Sequence, residues 1–565
     1  MIVYENGKKI SLTQNDFITK GGEGEVYGKG SSIYKIYHDR SKMIANGKIL
    51  ELKNITDSKV IVPLNILSNS RQVDVGFTMD WIKKTISICK LFTNDFRNMN
   101  NISDKMAIDL INVLRNVINN IHSKKCLIVD LNELNILVDT KFQCPYFIDV
   151  DSYQTPSYPA TAIMPYVKDH QTKGFNENTD WFSFAILTCQ LLIGIHPYKG
   201  KHSQYNKKEL IKRMKENASI FGSNIRLPSA VRDFNVIPDT YLEWFQRLFE
   251  NGVREAPPEN MGKLIPIVGV VKVISSVEKF IVKEIMNLDF SENILYYKRY
   301  ENKNIVKGSS KIQINKKEHT LSSTKTELVI EENTQMPIFV HIDKGILSIT
   351  NELNLPQDSI QLRADDMMVV GNSVFLQYNN MLSEVRFKIL NNTLIKTVRS
   401  YWNIMPNSSE MFSGLVYQSI LGKPYLMIPV PTKKSTQCHV IPISELEDYK
   451  IIEAKHDSQV VQIICFKDGM YDRVTIVFSE KYDNYSLRTT KDVDYKYNNF
   501  IVLENGVVAS IVEDGQMEIY FNNLNNTRIR VVDSKDIRTS MLLMKDGITV
   551  LFAEGTKLYS MKLKT

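Results

Sequence analysis

Three side chains with oxygen donors stand close to two short apolar runs in the first third of the chain. Asp130 and Asn135 have four residues between them, and Asp149 ends the run Tyr146-Phe147-Ile148. A carboxylate can accept a proton from an attacking hydroxyl group, and a carboxylate together with a carboxamide can hold Mg²⁺. Each of these residues alone is more often a turn residue or a helix cap. Their order and spacing together indicate a group that could perform such chemistry.

A glycine-rich segment and a lysine precede these residues in the sequence. Gly21, Gly22 and Gly24, followed by Val26, lie between two strand-like runs, and Lys35 lies inside the second run among apolar neighbours. Because glycine lacks Cβ, a hairpin tip of this composition can close over phosphate groups, although an ordinary glycine-rich hairpin is the alternative. A lysine in an apolar strand needs negative charge beside it. The segment therefore predicts a phosphate-binding site.

These motifs, taken in order, resemble the protein kinase superfamily. The resemblance covers roughly residues 10 to 262, and it is closest to divergent kinase-like proteins of bacteria and phages, whose metal loop reads Ile-Asp-Val-Asp-Ser. It implies ATP and Mg²⁺ as cofactors and a protein as substrate. It further implies that Asp130 is the general base and that Asn135 and Asp149 are metal ligands. It also implies that Lys35 binds the α- and β-phosphates and that Glu51, on the following helix, is the carboxylate partner of this lysine.

The resemblance places the adenine-binding hinge at Met79, Asp80 and Ile82, with the backbone of Asp80 and Ile82 supplying hydrogen bonds. A plain strand end is the alternative, since backbone recognition leaves little trace in a sequence.

Two later positions extend the resemblance into the helical part. Asp180 stands where the superfamily has an aspartate that binds the backbone of the catalytic loop. Arg254 stands where the superfamily has an arginine that pairs with an acid, and Asp169 is the candidate acid.

The sequence departs from the superfamily pattern at three places. Ile128 and Val129 replace the usual His-Arg pair before Asp130, so we expect no switching by loop phosphorylation. Asn132 stands where Ser/Thr kinases usually have a lysine; we keep it as a candidate catalytic residue and expect slow turnover. Residues 155 to 166 are short and lack Ala-Pro-Glu, which leaves the substrate class open.

The elements that must position these residues change in character along the chain. Short β-rich runs extend to about residue 82, and helical periodicity dominates from 83 to 262, with Leu110, Leu114 and Val117 on one face of a long segment. This order predicts an α+β, bilobal, protein-kinase-like fold, with lobes at 1–82 and 83–262.

Residues 270 to 565 alternate β-branched and aromatic runs with turn dipeptides such as Lys344-Gly345 and Asp468-Gly469. This pattern predicts an all-β domain, and the spacing of the turns favours a six- or seven-bladed β-propeller, with a pair of β-sandwiches as the alternative. We expect this domain to bind a partner protein.

Composition narrows the class of protein. The net charge is +7 from 70 Lys plus Arg and 63 Asp plus Glu, an excess too small to favour a nucleic-acid partner. No apolar run is long enough to span a membrane, and six scattered cysteines are typical of a reducing compartment. We therefore expect a cytoplasmic protein, in a bacterial cell or encoded by a phage and acting in its host.

Three functions remain open at this point. The first is an active kinase that transfers the γ-phosphoryl group to Ser or Thr hydroxyls. The second is a nucleotide-binding pseudokinase scaffold, suggested by the altered residues around Asp130. The third is transfer of another part of ATP, such as AMP, by a rearranged loop.

Overall fold

The structure, a computed structural model, describes residues 1–161, 163–223, 225–228, 230–264, 277–286, 290–300, 303–494, 497–524 and 528–564. The predicted division between residues 262 and 270 falls largely on residues 265–276, which lie outside the described part of the chain.

An antiparallel sheet of seven strands forms the N-terminal lobe, in the order β2-β1-β6-β7-β5-β4-β3. Its strands are β1 (Ile2–Glu5), β2 (Lys8–Ser11), β3 (Phe17–Lys20), β4 (Gly24–Lys29), β5 (Ser32–Tyr37), β6 (Ile66–Ser68) and β7 (Asp74–Asp80), and helix α1 (Asn46–Leu52) follows β5. Opposite residues in an antiparallel sheet share a face. Since Val26 pairs with Lys35 and Lys35 with Phe77, these three side chains point to one side of the sheet.

Helices dominate the next lobe, as predicted. They are α2 (Asn94–Met99), α3 (Asp104–Ser123), α4 (Glu177–Ile193), α5 (Leu210–Lys215) and α6 (Asp239–Phe249). Short strands accompany them: β8 (Thr85–Ser87), β9 (Ile136–Asp139), β10 (Pro145–Phe147), β11 (Lys201–His202) and β12 (Ile225–Arg226). Helix α4 is buried on nearly all sides, begins at an Asn176 capping box and ends at Gly194, whose φ is +86°. It forms the centre of this lobe.

Single turns of 3₁₀ helix connect many of these elements. In the described residues they lie at Gln14–Asp16, Arg40–Lys42, Ile88–Phe92, Val150–Ser152, Lys207–Glu209, Phe234–Val236, Ser444–Leu446 and Glu513–Gly515.

The described residues after 277 form seven separate antiparallel sheets. Five of them follow one another along the chain. The first contains β14 (Tyr296–Tyr300), β15 (Lys303–Lys307), β16 (Lys311–Ile314) and β17 (Lys317–Thr320), and the second contains β18 (Glu327–Ile330), β19 (Pro337–Asp343) and β20 (Ile346–Asn351). The third contains β21 (Asp366–Val370), β22 (Ser373–Tyr378), β23 (Met381–Leu390) and β24 (Thr393–Asn403), the fourth contains β25 (Ser409–Phe412), β26 (Leu415–Ile420), β27 (Lys423–Pro431) and β28 (Thr436–Pro442), and the fifth contains β29 (Lys450–Asp457), β30 (Val460–Lys467), β31 (Met470–Phe478) and β32 (Tyr485–Thr490). The sixth contains β33 (Phe500–Val502), β34 (Val507–Val512), β35 (Gln516–Phe521) and β36 (Arg530–Asp533).

The seventh sheet joins the two ends of the β-rich region. Strand β13 (Phe280–Met286) pairs with β39 (Lys557–Leu563), which continues to β38 (Thr549–Glu554) and β37 (Leu542–Asp546). Edge strands of neighbouring sheets also contact one another, as in β18 with β21, β21 with β25, β25 with β29, and β37 with both β33 and β14.

The turn dipeptides behave as predicted at two hairpins. Lys344-Gly345 and Asp468-Gly469 both have positive φ at each residue, which is the backbone of a two-residue hairpin turn. The second of these turns joins β30 to β31.

The β-rich region packs against the helical lobe. Five of its apolar side chains belong to the buried cluster that forms the core of that lobe, namely Ile452, Ile464, Phe466, Tyr471 and Val493. Among the described residues, no helix is both long and apolar enough to cross a membrane.

Candidate functional site

Lys35 of the N-terminal sheet lobe contacts residues of the helical lobe. Its side chain is buried in the sheet, and its Nζ lies 2.6 Å from Asp151 Oδ2, 3.1 Å from Asp149 Oδ1 and 3.4 Å from Glu23 Oε2. The two aspartates belong to the turn after β10, in the helical lobe. The structure therefore brings Lys35 of the sheet lobe into direct contact with Asp149 of the helical lobe.

The charges in this cleft perturb one another. Burial opposes the charged form of Lys35, but the carboxylates of Asp151 and Asp149 outweigh it and raise the lysine pKa above its ordinary value. Burial, followed by the negative charge of Asp151, raises the pKa of Asp149 to about 6, although Lys35 opposes this shift. A cation beside Asp149 would relieve the crowding of negative charge.

Glu51 is not the partner of Lys35, which corrects the prediction made for it. Its Oε2 accepts a 3.2 Å hydrogen bond from the backbone amide of Ser157. Hydrogen bonds from the side chains of Ser157 and Thr155 lower the pKa of the Glu51 carboxyl. The buried face of α1 holds Lys48, Ile49 and Leu52. Glu51 lies about 100° around the helix from Leu52, so its carboxylate points away from the buried lysine.

Asp130 lies at the start of the loop before β9, and both of its carboxylate oxygens accept hydrogen bonds. Oδ1 accepts from the backbone amide of Met164 at 2.8 Å, and Oδ2 accepts from Asn135 Nδ2 at 3.3 Å. Burial raises the pKa of Asp130, and these hydrogen bonds oppose the shift. Because Asn135 uses its amide nitrogen here, its amide oxygen is the atom available to a cation.

Asn132 has a structural position rather than the catalytic one that we predicted. It is 2% exposed, its Oδ1 accepts from the amide of Leu134 at 2.8 Å, and its Nδ2 donates to the carbonyl of Asp130 at 3.4 Å. These bonds hold the loop that contains Asp130 in shape, and they turn the Asn132 side chain into the protein.

The backbone before Asp130 is strained and is held by Asp180. Val129 has φ of +65°, an unfavourable conformation for a β-branched residue. Asp180 is fully buried, and its two oxygens accept from the amides of Ile128 and Val129, both at 2.8 Å. His122 Nε2 lies 2.9 Å from the same carboxylate. The predicted bond between Asp180 and the loop is present.

The predicted pair of Arg254 and Asp169 is also present. Arg254 Nε and Nη2 contact the two oxygens of Asp169 at 2.6 and 2.9 Å, and the guanidinium lies 4.5 Å from the ring centroid of Phe182. This bidentate contact ties the segment before α4 to the end of α6.

The glycine-rich segment forms the tip between β3 and β4. The amide of Gly21 donates to the carbonyl of Gly24 at 2.8 Å and closes the turn. A Cβ at Gly24 would lie 2.3 Å from the Ile36 carbonyl oxygen, whereas one at Gly22 would meet no atom within 4 Å. Gly24 is therefore required by the approach of β5, and Gly22 lies in open space at the tip.

The hinge segment leaves the sheet after Asp80, which pairs with Ser32, while Met79 pairs with Ile33. The next amide, of Trp81, donates to the carbonyl of Ser31 at 2.9 Å. The Trp81 ring packs on Gly28, where a Cβ would lie only 2.7 Å from it. Adenine contacts at Asp80 and Ile82 stay predictions. The sequence pattern did not reveal that the Trp81 ring packs against the sheet at this segment.

The metal-ligand set is small. In the described part of the chain no three His, Cys, Asp or Glu side chains gather in a way that could hold a metal ion. Asn135 and Asp149 fit a Mg²⁺ ion that takes its other ligands from phosphate oxygens and water, which is how this ion usually binds nucleotide sites.

The chain was compared with known protein families, solved structures and curated proteins. No protein-family model matches the chain. Among solved structures, the Cydia pomonella granulovirus kinase PK-1 aligns over 42% of this chain and 88% of its own, with 13% identity and a TM-score of 0.31. A curated viral protein, "Serine/threonine-protein kinase 1" of Heliothis zea nuclear polyhedrosis virus, is 23% identical over 192 residues, which are 33% of this chain and 71% of that kinase. This chain is therefore similar in sequence to a viral protein kinase over about a third of its length.

The surroundings of Lys35 contain functional candidates that sequence reasoning missed. Asp151 is the nearest carboxylate to Lys35, and Tyr37 donates a 2.6 Å hydrogen bond to the same Asp151 oxygen. Lys48 donates to the carbonyl of Asp151 at 2.7 Å. The available signals were a second aspartate two residues after Asp149 and a lysine on an apolar helix face.

Proposed function

We propose that this protein is an ATP- and Mg²⁺-dependent kinase that transfers the γ-phosphoryl group to Ser or Thr hydroxyls of a protein substrate. One observation carries the proposal: Lys35 from the sheet lobe lies 3.1 Å from Asp149 of the helical lobe, beside a loop that holds Asp130 and Asn135. The Ser/Thr assignment is supported by the similarity to the viral relative, which is named a serine/threonine-protein kinase.

The nucleotide would lie between the lobes. In this proposal Gly21, Gly22 and Gly24 cover the phosphates, and Val26 packs on the base. Lys35 binds the α- and β-phosphates by exchanging its contact with Asp149 for phosphate oxygens. Met79 and the backbone of Asp80 and Ile82 line the adenine end of the site.

Asn135 and Asp149 would hold Mg²⁺, which neutralises charge on the phosphates when it is bound. Asp149 must be ionised for this role, and Lys35 favours that state. The amide of Asn135 is already fixed by its bonds to Asp130.

Asp130 would accept the proton of the acceptor hydroxyl. The bond from the Met164 amide fixes one oxygen of Asp130, and the other lies on the side of Asn135. Asp180 holds the backbone that carries Asp130. The general base is thus oriented by contacts that do not need substrate.

We propose that the kinase part of the chain consists of two lobes, residues 1–82 and 83–262. We also propose that the rest, from about residue 270 to 565, forms a seven-bladed β-propeller that acts as a partner-binding module. Seven sheets, contacts between their edge strands, and the pairing of β13 with β39 support this architecture. In β-propellers, the ring of blades is commonly closed by one sheet that contains both the first and the last strand of the domain.

Transfer of radiolabel from [γ-³²P]ATP tests the function. The full-length protein should label itself or a lysate protein in the presence of Mg²⁺, and Asp130→Ala and Asp149→Ala should abolish the label. If MgATP stabilises the wild-type protein against heat but no label is transferred, the pseudokinase scaffold replaces this proposal.

A further inference from the structure

Asp151 holds the lysine that the proposed reaction needs. Its carboxylate is almost fully buried, and one oxygen receives two hydrogen bonds of 2.6 Å, from Lys35 Nζ and from the Tyr37 hydroxyl. Lys35 and Tyr37 alternate along β5 and so point to the same face of the sheet. The contact to Asp149 is longer, at 3.1 Å.

The backbone of Asp151 is anchored as well. Lys48 of α1 donates to its carbonyl at 2.7 Å, and the hydroxyl of the next residue, Ser152, donates to the carbonyl of Asp149 at 2.8 Å. The turn that carries both aspartates is therefore fixed from the sheet, from α1 and from within. Helix α1 offers no carboxylate to Lys35, because Glu51 contacts Ser157 instead.

We propose that Asp151 is the positioning residue that keeps Lys35 in its phosphate-binding place, and that the glutamate of α1 has no part in this. The inference rests on the proposed function of the same site. A phosphate can displace Asp149 from Lys35 while the shorter contact to Asp151 persists. The turn that contains Asp149 and Asp151 then positions both the metal ligand Asp149 and, through Asp151, the lysine. The position of α1 does not decide whether the lysine is in place.

Removing the carboxylate would leave a buried lysine with a weaker partner, and such a lysine moves or loses its proton. A displacement of about 1 Å in a phosphate-binding group costs on the order of 100-fold in kcat/KM. We therefore expect Asp151→Asn to lower kcat/KM for MgATP about 100-fold, and Asp151→Glu to recover part of this loss.

The experiment compares Asp151→Asn, Asp151→Glu and Glu51→Gln in the full-length protein. Two readouts are measured for each: kcat/KM for MgATP, and the Kd of MgATP from thermal shift, which does not need transfer. Thermal unfolding without nucleotide identifies any variant that fails to fold. In that case Tyr37→Phe, which removes one hydrogen bond to Asp151, is expected to weaken MgATP binding by severalfold.

The inference holds if Asp151→Asn weakens MgATP binding at least tenfold while Glu51→Gln stays within twofold of wild type. It is overturned if Asp151→Asn binds MgATP as tightly as wild type, or if Glu51→Gln weakens MgATP binding as much as Asp151→Asn does. A wild-type protein that binds MgATP without transferring phosphate would end the proposed function, and the binding comparison would still decide the role of Asp151.

A second, independent set of contacts concerns the β-rich region. The Asp468-Gly469 turn lies on the segment before α4: a Cβ at Gly469 would be 2.4 Å from the Tyr166 ring. Next to this turn, the buried Tyr471 hydroxyl donates to Glu133 Oε1 at 2.9 Å. Tyr166 is two residues from Met164, whose amide is bonded to Asp130.

Ion pairs secure the same interface. Lys199 Nζ lies 2.9 Å from Asp492 and 3.1 Å from Asp494, and Lys207 Nζ lies 2.7 Å from Glu513. All the lysines belong to the helical lobe and all the carboxylates to the β-rich region. We propose that the turn and these ion pairs form a latch that keeps protein acceptors away from Asp130, so that release of the latch speeds transfer to an external substrate.

Charge reversal at Lys199 and Lys207 tests the latch. The double variant Lys199→Glu, Lys207→Glu should phosphorylate an unstructured Ser/Thr peptide at least tenfold faster than the wild type, with an unchanged Kd for MgATP. Tyr471→Phe, which keeps the packing, should give a smaller increase. A peptide rate within twofold of wild type, or below it, in both variants overturns the latch, while the Asp130→Ala loss of label tests the transfer reaction separately.

Discussion

The backbone amide of Met164 donates a 2.8 Å hydrogen bond to Oδ1 of Asp130. An acceptor hydroxyl would therefore approach the other oxygen, which now contacts Asn135 at 3.3 Å. The two contacts define the direction from which a phosphate acceptor can reach the proposed base.

Asp130→Asn should lower phosphoryl transfer by about 10²- to 10⁴-fold, the usual contribution of a positioned general base. The amide keeps the shape of the carboxylate, so the Kd for MgATP should change by less than about threefold. Initial rates with [γ-³²P]ATP and nucleotide-induced thermal shifts measure the two quantities. Asp109→Asn, an exposed position on α3, is the matched control; equal losses in both variants would contradict the assignment.

Binding of MgATP should weaken as the pH falls through about 6. The pKa of Asp149 is raised to about 6 by burial and by Asp151, so the carboxylate is ionised above that pH and protonated below it. Only the ionised form can hold the metal. The Kd of MgATP between pH 5 and 8 should rise close to tenfold per unit below 6, and Asp149→Asn should remove this dependence. A flat profile in the wild-type protein would be inconsistent with a metal bound by Asp149.

Asp180→Ala should destabilise the helical lobe. It removes both acceptors from the buried amides of Ile128 and Val129 and leaves His122 without that contact. Buried polar groups left without partners cost about 1–3 kcal/mol each, so we expect a loss of about 3 kcal/mol or more. Thermal or urea unfolding measures it, with the exposed Glu177→Gln on the same helix as control. Comparable stability of the two variants would show that the strained loop does not depend on Asp180.

Alanine substitutions in the glycine-rich tip should have opposite outcomes. Gly24→Ala places Cβ against the Ile36 carbonyl oxygen and should cost about 1–3 kcal/mol of unfolding free energy, as overpacking usually does. Gly22→Ala meets no neighbouring atom and should be neutral to within about 0.5 kcal/mol. Unfolding midpoints of the two variants compare them directly, and a larger loss at Gly22 would contradict the described packing of β4 on β5.

Sequence patterns predicted the contacts whose chemistry is determined by residue type and order. Asp180 with its loop, Arg254 with Asp169, and Lys35 near Asp149 are of this kind, because a buried charged side chain needs an opposite charge or hydrogen-bond donors beside it. The alternation of residues along strands and the Asp468-Gly469 turn likewise predicted elements of the β-rich region.

Sequence patterns failed where the rotation of a short element decides the contact. Spacing alone cannot tell whether Glu51 or Lys48 of α1 reaches the turn after β10, since residues three apart lie only about 60° from each other around the helix. Asn132 was misassigned because a carboxamide can bind a substrate or cap its own loop, and only the position of the Leu134 amide distinguishes these. The packing of the β-rich region on Tyr166 joins parts of the chain about 300 residues apart and has no local signature.

A crystal structure with Mn²⁺ and a non-hydrolysable ATP analogue tests the central claim most directly. We predict an anomalous peak about 2.1 Å from an oxygen of Asn135 and an oxygen of Asp149, with Lys35 bound to the α- or β-phosphate and still in contact with Asp151. Nucleotide bound elsewhere, or a metal that reaches neither residue, would contradict the account.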